Sequence, residues 1–281
     1  MKVILVPVAD RPECARALRT AFDLGQRLEA SVVGCHIRAH AYSAVNLPRS
    51  LLEGEAAWQQ AIKKKPLAKS AAAKKLFGDV AEAHGYQMIR RPRKTPGAQW
   101  QEKVGSPHKL MSIVGPVSDL VVVSRPASKG GELSELFLRA ALLNTGKPVL
   151  VMPQVATRLV GRRVCIAWNQ SIEAAKAVAA AMPLLTSADE VTIISSGATD
   201  ALGPKANQVA NYLKFWGVKS TCVQTRGTDH ASNILDCYKE SKSDLLVMGA
   251  YSRSRLRERI FGGVTDHMLR SANIPVLMKH S

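Results

Sequence analysis

Apolar and polar positions along the chain fall into two alternating rhythms. Residues 3–8 and 31–37 are short apolar runs of the kind that fill strands buried on both faces. Between them, from Pro12 on, Ala15, Leu18, Ala21, Phe22, Leu24 and Leu28 recur at helical spacing. Residues 51–84 read as a long Ala- and Lys-rich helical stretch, broken near Pro66 and ended by Gly85, with a short third strand over 86–89. Residues 100–114 read as a weaker helix, compromised by Gly105 and Pro107. Buried strands over 120–123 and 149–151 flank a helix over 133–143.

The second half predicts the same order with a shorter middle. Strands are expected over 164–167, 191–195, 218–225, 245–248 and 275–278, with helices over 172–185, 205–216, 231–241 and 262–271. The likeness extends to the residues. Ser118-Asp119-Leu120-Val121-Val122-Val123-Ser124 returns 125 residues later as Ser243-Asp244-Leu245-Leu246-Val247-Met248-Gly249. Lys147-Pro148-Val149-Leu150-Val151-Met152 returns 127 residues later as Ile274-Pro275-Val276-Leu277-Met278-Lys279. A period this long means duplicated domains rather than a solenoid. Strands alternating with helices predict an α/β fold: two Rossmann-like, doubly wound parallel sheets of five strands each. The domains are expected at 1–153 and 162–281, joined by a linker over 154–161.

Bulk properties narrow the picture. The 281 residues, 46% of them hydrophobic, suffice for two ordinary cores. No apolar run reaches the roughly 18 residues of a membrane helix, and the chain opens directly into a strand-like run, so cytoplasmic residence is expected. Cys14, Cys35, Cys165, Cys222 and Cys237 form no CxxC pair and read as small apolar residues. The net charge of +17 implies attraction to anions. Much of it lies at Lys63-Lys64-Lys65, Lys69, Lys74 and Lys75, and at Arg90-Arg91-Pro92-Arg93-Lys94. Only Trp58 and Trp100 lie near these runs, too few aromatics for a nucleic-acid surface. His36 and His40 are expected to be exposed loop histidines rather than metal ligands, because no third ligand lies near. Asp229 or Thr228 caps a helix ahead of His230, and Asp266-His267 takes a surface or packing role.

Ligands of doubly wound sheets sit beyond the carboxyl ends of the strands. In the second half the loop after strand four starts at Gly249 and ends at Gly262-Gly263, where a helix begins, with Arg253, Arg255, Arg257 and Arg259 between. Free N–H groups at a helix start and glycines that admit close approach make an anion site there. The loop resembles that of the universal stress protein family, which carries Gly, two residues, Gly, nine residues, Gly, then Ser or Thr. Here the spacing runs through Gly249, Ser252, Gly262 and Gly263. The resemblance implies a pocket for ATP or a related adenine nucleotide, with or without Mg²⁺. Arg253, Val264 and Thr265 belong to the same loop and helix start, Asn169 stands where the nucleotide-binding members place an Asp, and Ser196 falls near their base contact.

In the first half, Gly249 corresponds to Ser124, and Gly262 and Gly263 correspond to Glu135 and Leu136. The aspartate position falls on Ala9, and Asp10 is expected to cap the Pro12 helix. No nucleotide is expected there in the family's manner. The resemblance further implies an internal pseudo-dimer, through pairing of residues 148–152 with 275–278, and is compatible with a homo-oligomer. The reading is a regulatory nucleotide-binding protein, at most a slow ATPase, without a membrane or nucleic-acid partner. The alternative is a scaffold without nucleotide that recruits an acidic protein partner through its positive charge.

Overall fold

The computed structural model describes residues 1–9, 11–38, 70–126, 132–155, 159–196, 202–250 and 263–280. The chain divides into two compact units, Met1–Gln154 and Val155–Ser281.

The first unit contains strands β1 (Val3–Pro7), β2 (Ser31–Arg38), β3 (Met88–Ile89), β4 (Ala98–Val104), β5 (Leu120–Ser124) and β6 (Val149–Met152). Its described helices are α1 (Pro12–Leu28), α2 (Ser70–Ala83), α3 (Pro107–Val114) and α4 (Glu132–Asn144). The strand order is β3-β4-β2-β1-β5-β6, with parallel neighbours throughout. The sheet therefore has six strands rather than five: the expected third strand is the two-residue edge strand β3, and the extra one is β4.

Residues 98–104 form a strand paired in register with β2, so the helix expected over 100–114 is corrected to Pro107–Val114. Its start is built by ordinary capping: Ser106 accepts from the N–H of Lys109, and Pro107 takes the first helical position. Trp100 joins an aromatic cluster. Its ring lies 5.5 Å from Phe77 on α2, and Phe77 lies 5.5 Å from Phe22 on α1. Gly34 on β2 leaves room for the Phe77 ring, since a Cβ there would lie 2.5 Å from it. The helix α1 follows its apolar spacing, burying Leu18, Ala21, Phe22 and Leu24. Its N-cap is Arg11, in extended conformation and without a side-chain cap. Asp10, expected to cap it, lies outside the described residues, as do His40 and the Lys-rich stretch through Lys69.

The second unit contains β7 (Arg163–Ala167), β8 (Glu190–Ser196), β9 (Ser220–Thr225), β10 (Leu245–Gly249) and β11 (Val276–Lys279). Its described helices are α5 (Ile172–Leu185), α6 (Ala206–Lys214), α7 (His230–Glu240) and α8 (Val264–Arg270). The order β9-β8-β7-β10-β11 is again parallel throughout. Cys14, Cys35, Cys165 and Cys237 are buried as expected, whereas Cys222, on the edge strand β9, is exposed.

The repeated Ser-Asp has a physical reason. The Asp119 carboxylate accepts from the N–H groups of Lys2 and Val3 at 2.6 and 3.0 Å. Asp244 accepts from Gly161, Arg162 and Arg163 at 2.7–3.1 Å. In each unit one carboxylate gathers the donors at the start of the first strand, where the sheet ladder has not begun. Among the described residues no helix is long and apolar enough to cross a membrane.

Candidate functional site at the carboxyl edge of the second sheet

In the second unit the strand order changes direction between β7 and β10. From β7 the chain moves out to β8 and β9, and from β10 it moves the other way to β11. A crevice opens beyond the strand ends at such a switch point.

Residues 168–171 leave β7. The N–H of Trp168 extends the ladder to the Ile194 carbonyl at 2.8 Å. Its ring is buried, and Nε1 donates to the Pro204 carbonyl at 2.7 Å. Gly203 is pressed onto Gln170, where a Cβ would meet the Gln170 carbonyl oxygen at 2.5 Å. The loop after β8 thus braces the end of β7. Asn169 is exposed, and its Oδ1 accepts from the Ser171 N–H at 3.3 Å and the Ser171 hydroxyl at 2.7 Å. Ser171 in turn caps α5 by accepting from the Ala174 N–H at 3.1 Å. Asn169 therefore shapes the turn that starts α5.

Gly249 ends β10 against that same helix start. A Cβ there would lie 2.7 Å from the Ala174 nitrogen and 2.7 Å from the Glu173 carbonyl carbon. Docking of α5 is enough to demand glycine at 249. Gly263 is the N-cap of α8, at φ 77° and ψ −156°, a backbone conformation open to glycine. Val264 and Thr265 follow in the first turn, both half-buried. Ser252, Arg253 and Gly262 lie outside the described residues.

At the end of β8 the structure joins residues that the sequence reading kept apart. Ser196 Oγ lies 3.1 Å from His230 Nδ1 and accepts from Asn233 Nδ2 at 3.0 Å. His230 and Asn233 stand three apart in the first turn of α7, so they share a face. That spacing, in a helix whose start lies next to the end of strand two, was the signal available for them. Asp229 is the N-cap of α7, accepting from Ser232 at 3.1 Å (N–H) and 2.8 Å (hydroxyl). Those bonds, and then the charge of His267, hold its carboxyl below its ordinary value. His267 thus faces the start of α7, and Asp266 accepts from Arg270 Nε at 2.7 Å.

The same edge of the first unit is built differently. Ser124, the counterpart of Gly249, donates its hydroxyl to the Glu13 carbonyl at 2.8 Å. Arg125 follows with its side chain buried, where the second unit has Ala250. Burial pushes its guanidinium down to about 10. Both residues continue the ladder alike: Arg125 N–H donates to Met152 at 2.7 Å and Ala250 N–H to Lys279 at 3.0 Å. Glu135 pairs with Arg139 at 3.4 Å on α4. His36 is not an exposed loop residue. It sits in β2, 2% exposed, with Nδ1 2.8 Å from the Val8 carbonyl oxygen and its ring stacked on Trp100. Among the described residues no three His, Cys, Asp or Glu side chains come together as a metal site.

The sequence profile of the Universal stress protein family matches residues 1–99 and 162–280. The chain belongs to the universal stress protein family. Within it, this tandem member is 30% identical over 71 residues to a universal stress protein of Methanocaldococcus jannaschii, a stretch covering 25% of this chain and 41% of that relative. A crystal structure of a universal stress protein from Archaeoglobus fulgidus shares the fold at TM-score 0.67 and 15% identity, covering 99% of this chain and 98% of that one. One of a putative universal stress protein from Pseudomonas aeruginosa does so at 0.63 and 14%, covering 100% and 93%. The match of the universal stress protein profile takes in the whole carboxyl edge of the second sheet but stops, in the first unit, inside β4.

Proposed function

We propose that this tandem universal stress protein is a regulatory nucleotide-binding protein of the cytoplasm. It takes ATP or a related adenine nucleotide in the second unit alone. The observation that carries the reading is the contrast between the two switch points. In the second unit the crevice between β7 and β10 is flanked by two helix starts, α5 and α8, and by the small residues Gly249 and Gly263. Helix starts favour phosphate through their free N–H groups and positive ends. In the first unit the matching place carries the tied Ser124 and the buried Arg125.

The phosphates would lie toward Gly263, Val264 and Thr265, and the nucleoside between Asn169 and Ser196. Asn169 supplies an uncharged amide where a carboxylate would otherwise stand. In this reading Mg²⁺ arrives with the phosphates. On the same reading, binding itself is the function.

Calorimetric titration of the full chain with ATP and Mg²⁺ tests the reading. Saturable heat is expected, with affinity falling at least tenfold in Gly263→Glu, which sets a carboxylate at the phosphate end. No heat at millimolar nucleotide would remove the proposal.

A further inference from the structure

The basic run Arg90 to Lys94 finds no role in the nucleotide reading, and the fold places it beside a cavity. In the first unit a cleft of about 630 Å³ lies against β1, β2 and β4. Its floor includes Val3, Leu5 and Val33, of which Leu5 and Val33 are buried, with Gln99 and Gln101 beside them. One wall is Val114 and Val117, at and after the end of α3. The opposite wall is Pro92, Arg93, Lys94 and Pro96.

The duplication explains why this cleft is open. Asp119 N–H donates to the Val3 carbonyl and Asp244 N–H to that of Arg163, so Val3 matches Arg163 and Leu5 matches Cys165. In the second unit Cys165 and Cys237 of α7 are both buried, with Tyr238 buried alongside. The helix α7 has 11 residues and packs on β7 and β8. Its counterpart α3 has 8, and packs chiefly on α4 and the turn that follows it. The shorter helix covers less of β1 than α7 covers of β7.

The chemistry of the cleft selects a ligand. The floor is largely apolar, and the volume suits a compact small molecule rather than a folded partner. The mouth is cationic. Lys2 is engaged with Glu29 at 3.6 Å, and Arg93 donates to the Gln87 side chain at 3.0 Å. No described carboxylate lies within ion-pair distance of Arg90, Arg91, Arg93 or Lys94. Cations gathered at the rim of an apolar slot complement an anion attached to an apolar body. We propose that this cleft binds a small amphiphilic carboxylate, its alkyl or aryl body against Leu5 and Val33 and its head group between Arg93 and Lys94. The site is separate from the second unit's crevice and stands whether or not nucleotide binds there.

Displacement of 11-(dansylamino)undecanoate from the full chain by decanoate tests it. Decanoate is expected to compete at least tenfold more strongly than decan-1-ol. The double variant Arg93→Glu with Lys94→Glu, on an exposed loop, should lose at least tenfold in affinity while its far-UV circular dichroism matches the parent's. Gln99→Trp, which fills the floor, should lose as much. The charge-matched double variant Lys214→Glu with Lys219→Glu, in the other unit, should bind as the parent does. The proposal is overturned by any of four results: no displacement at millimolar decanoate, equal competition by the alcohol, unchanged binding in the cleft variants, or equal loss in the second-unit variant.

Discussion

At the scale of single residues, two positions carry much of the local order. Asp119 is only partly buried. Burial works against its charge, but the N–H groups of Lys2 and Val3 outweigh that and hold its carboxyl below the ordinary value. A depressed folded-state value means that the charge stabilises the fold above the unfolded carboxylate range, and that this is lost as the pH falls through the folded value. Asp119→Asn should therefore cost about 1–2 kcal/mol at neutral pH. The gap between parent and variant should narrow below a pH of about 4. Urea unfolding at pH 7 and pH 3 measures both, and a constant gap would rule out the charge as its source. Gly249 was legible as a glycine with a purpose, but not as this one. The sequence suggests room for a phosphate, whereas in the fold the position first admits the start of α5. A methyl group there meets backbone atoms, so Gly249→Ala should destabilise by about 1–3 kcal/mol in thermal unfolding. Stability equal to the parent would mean that α5 can retreat freely.

At the scale of elements, helical spacing and apolar runs were enough to find α1 and α5 and the buried strands of both units, because each buries a single face or both faces of a sheet. They failed over 98–104. Ala98-Gln99-Trp100-Gln101-Glu102-Lys103-Val104 carries little apolar alternation, since this strand lies next to the sheet edge and its burial fades along its length, from buried Ala98 to exposed residues 102–104. What makes it a strand is non-local: seven register partners on β2 and the ring of Phe77 beside Trp100. The Ser106-Pro107 pair marked the true helix start and outranks the weak periodicity before it. Phe77 is fully buried and joins α2 to α1 and β4. Phe77→Ala should lower stability by about 3–5 kcal/mol, read from the denaturant midpoint. A loss under about 1 kcal/mol would mean that the neighbouring rings collapse into the space.

At the scale of the whole molecule, the duplication was plain in the sequence while the contrast between the two switch points was only half so. Ser124 and Glu135 could be matched to Gly249 and Gly262 by counting. The buried Arg125 and the Ser196–His230–Asn233 cluster could not, because each depends on side chains that meet only in three dimensions. On the proposal that the second unit's crevice alone takes nucleotide, native mass spectrometry in ATP should show a single nucleotide per chain. A second bound nucleotide would mean that Ser124 and Arg125 make room.

The paired aspartates also decide where the chain can be cut. Asp244 draws on the backbone from Gly161 to Arg163, two residues ahead of β7 and its first residue. A fragment trimmed to begin at β7 would strip two of those three amides away and leave a carboxylate with little to hold. Any division of this protein into working halves has to be made upstream of Gly161.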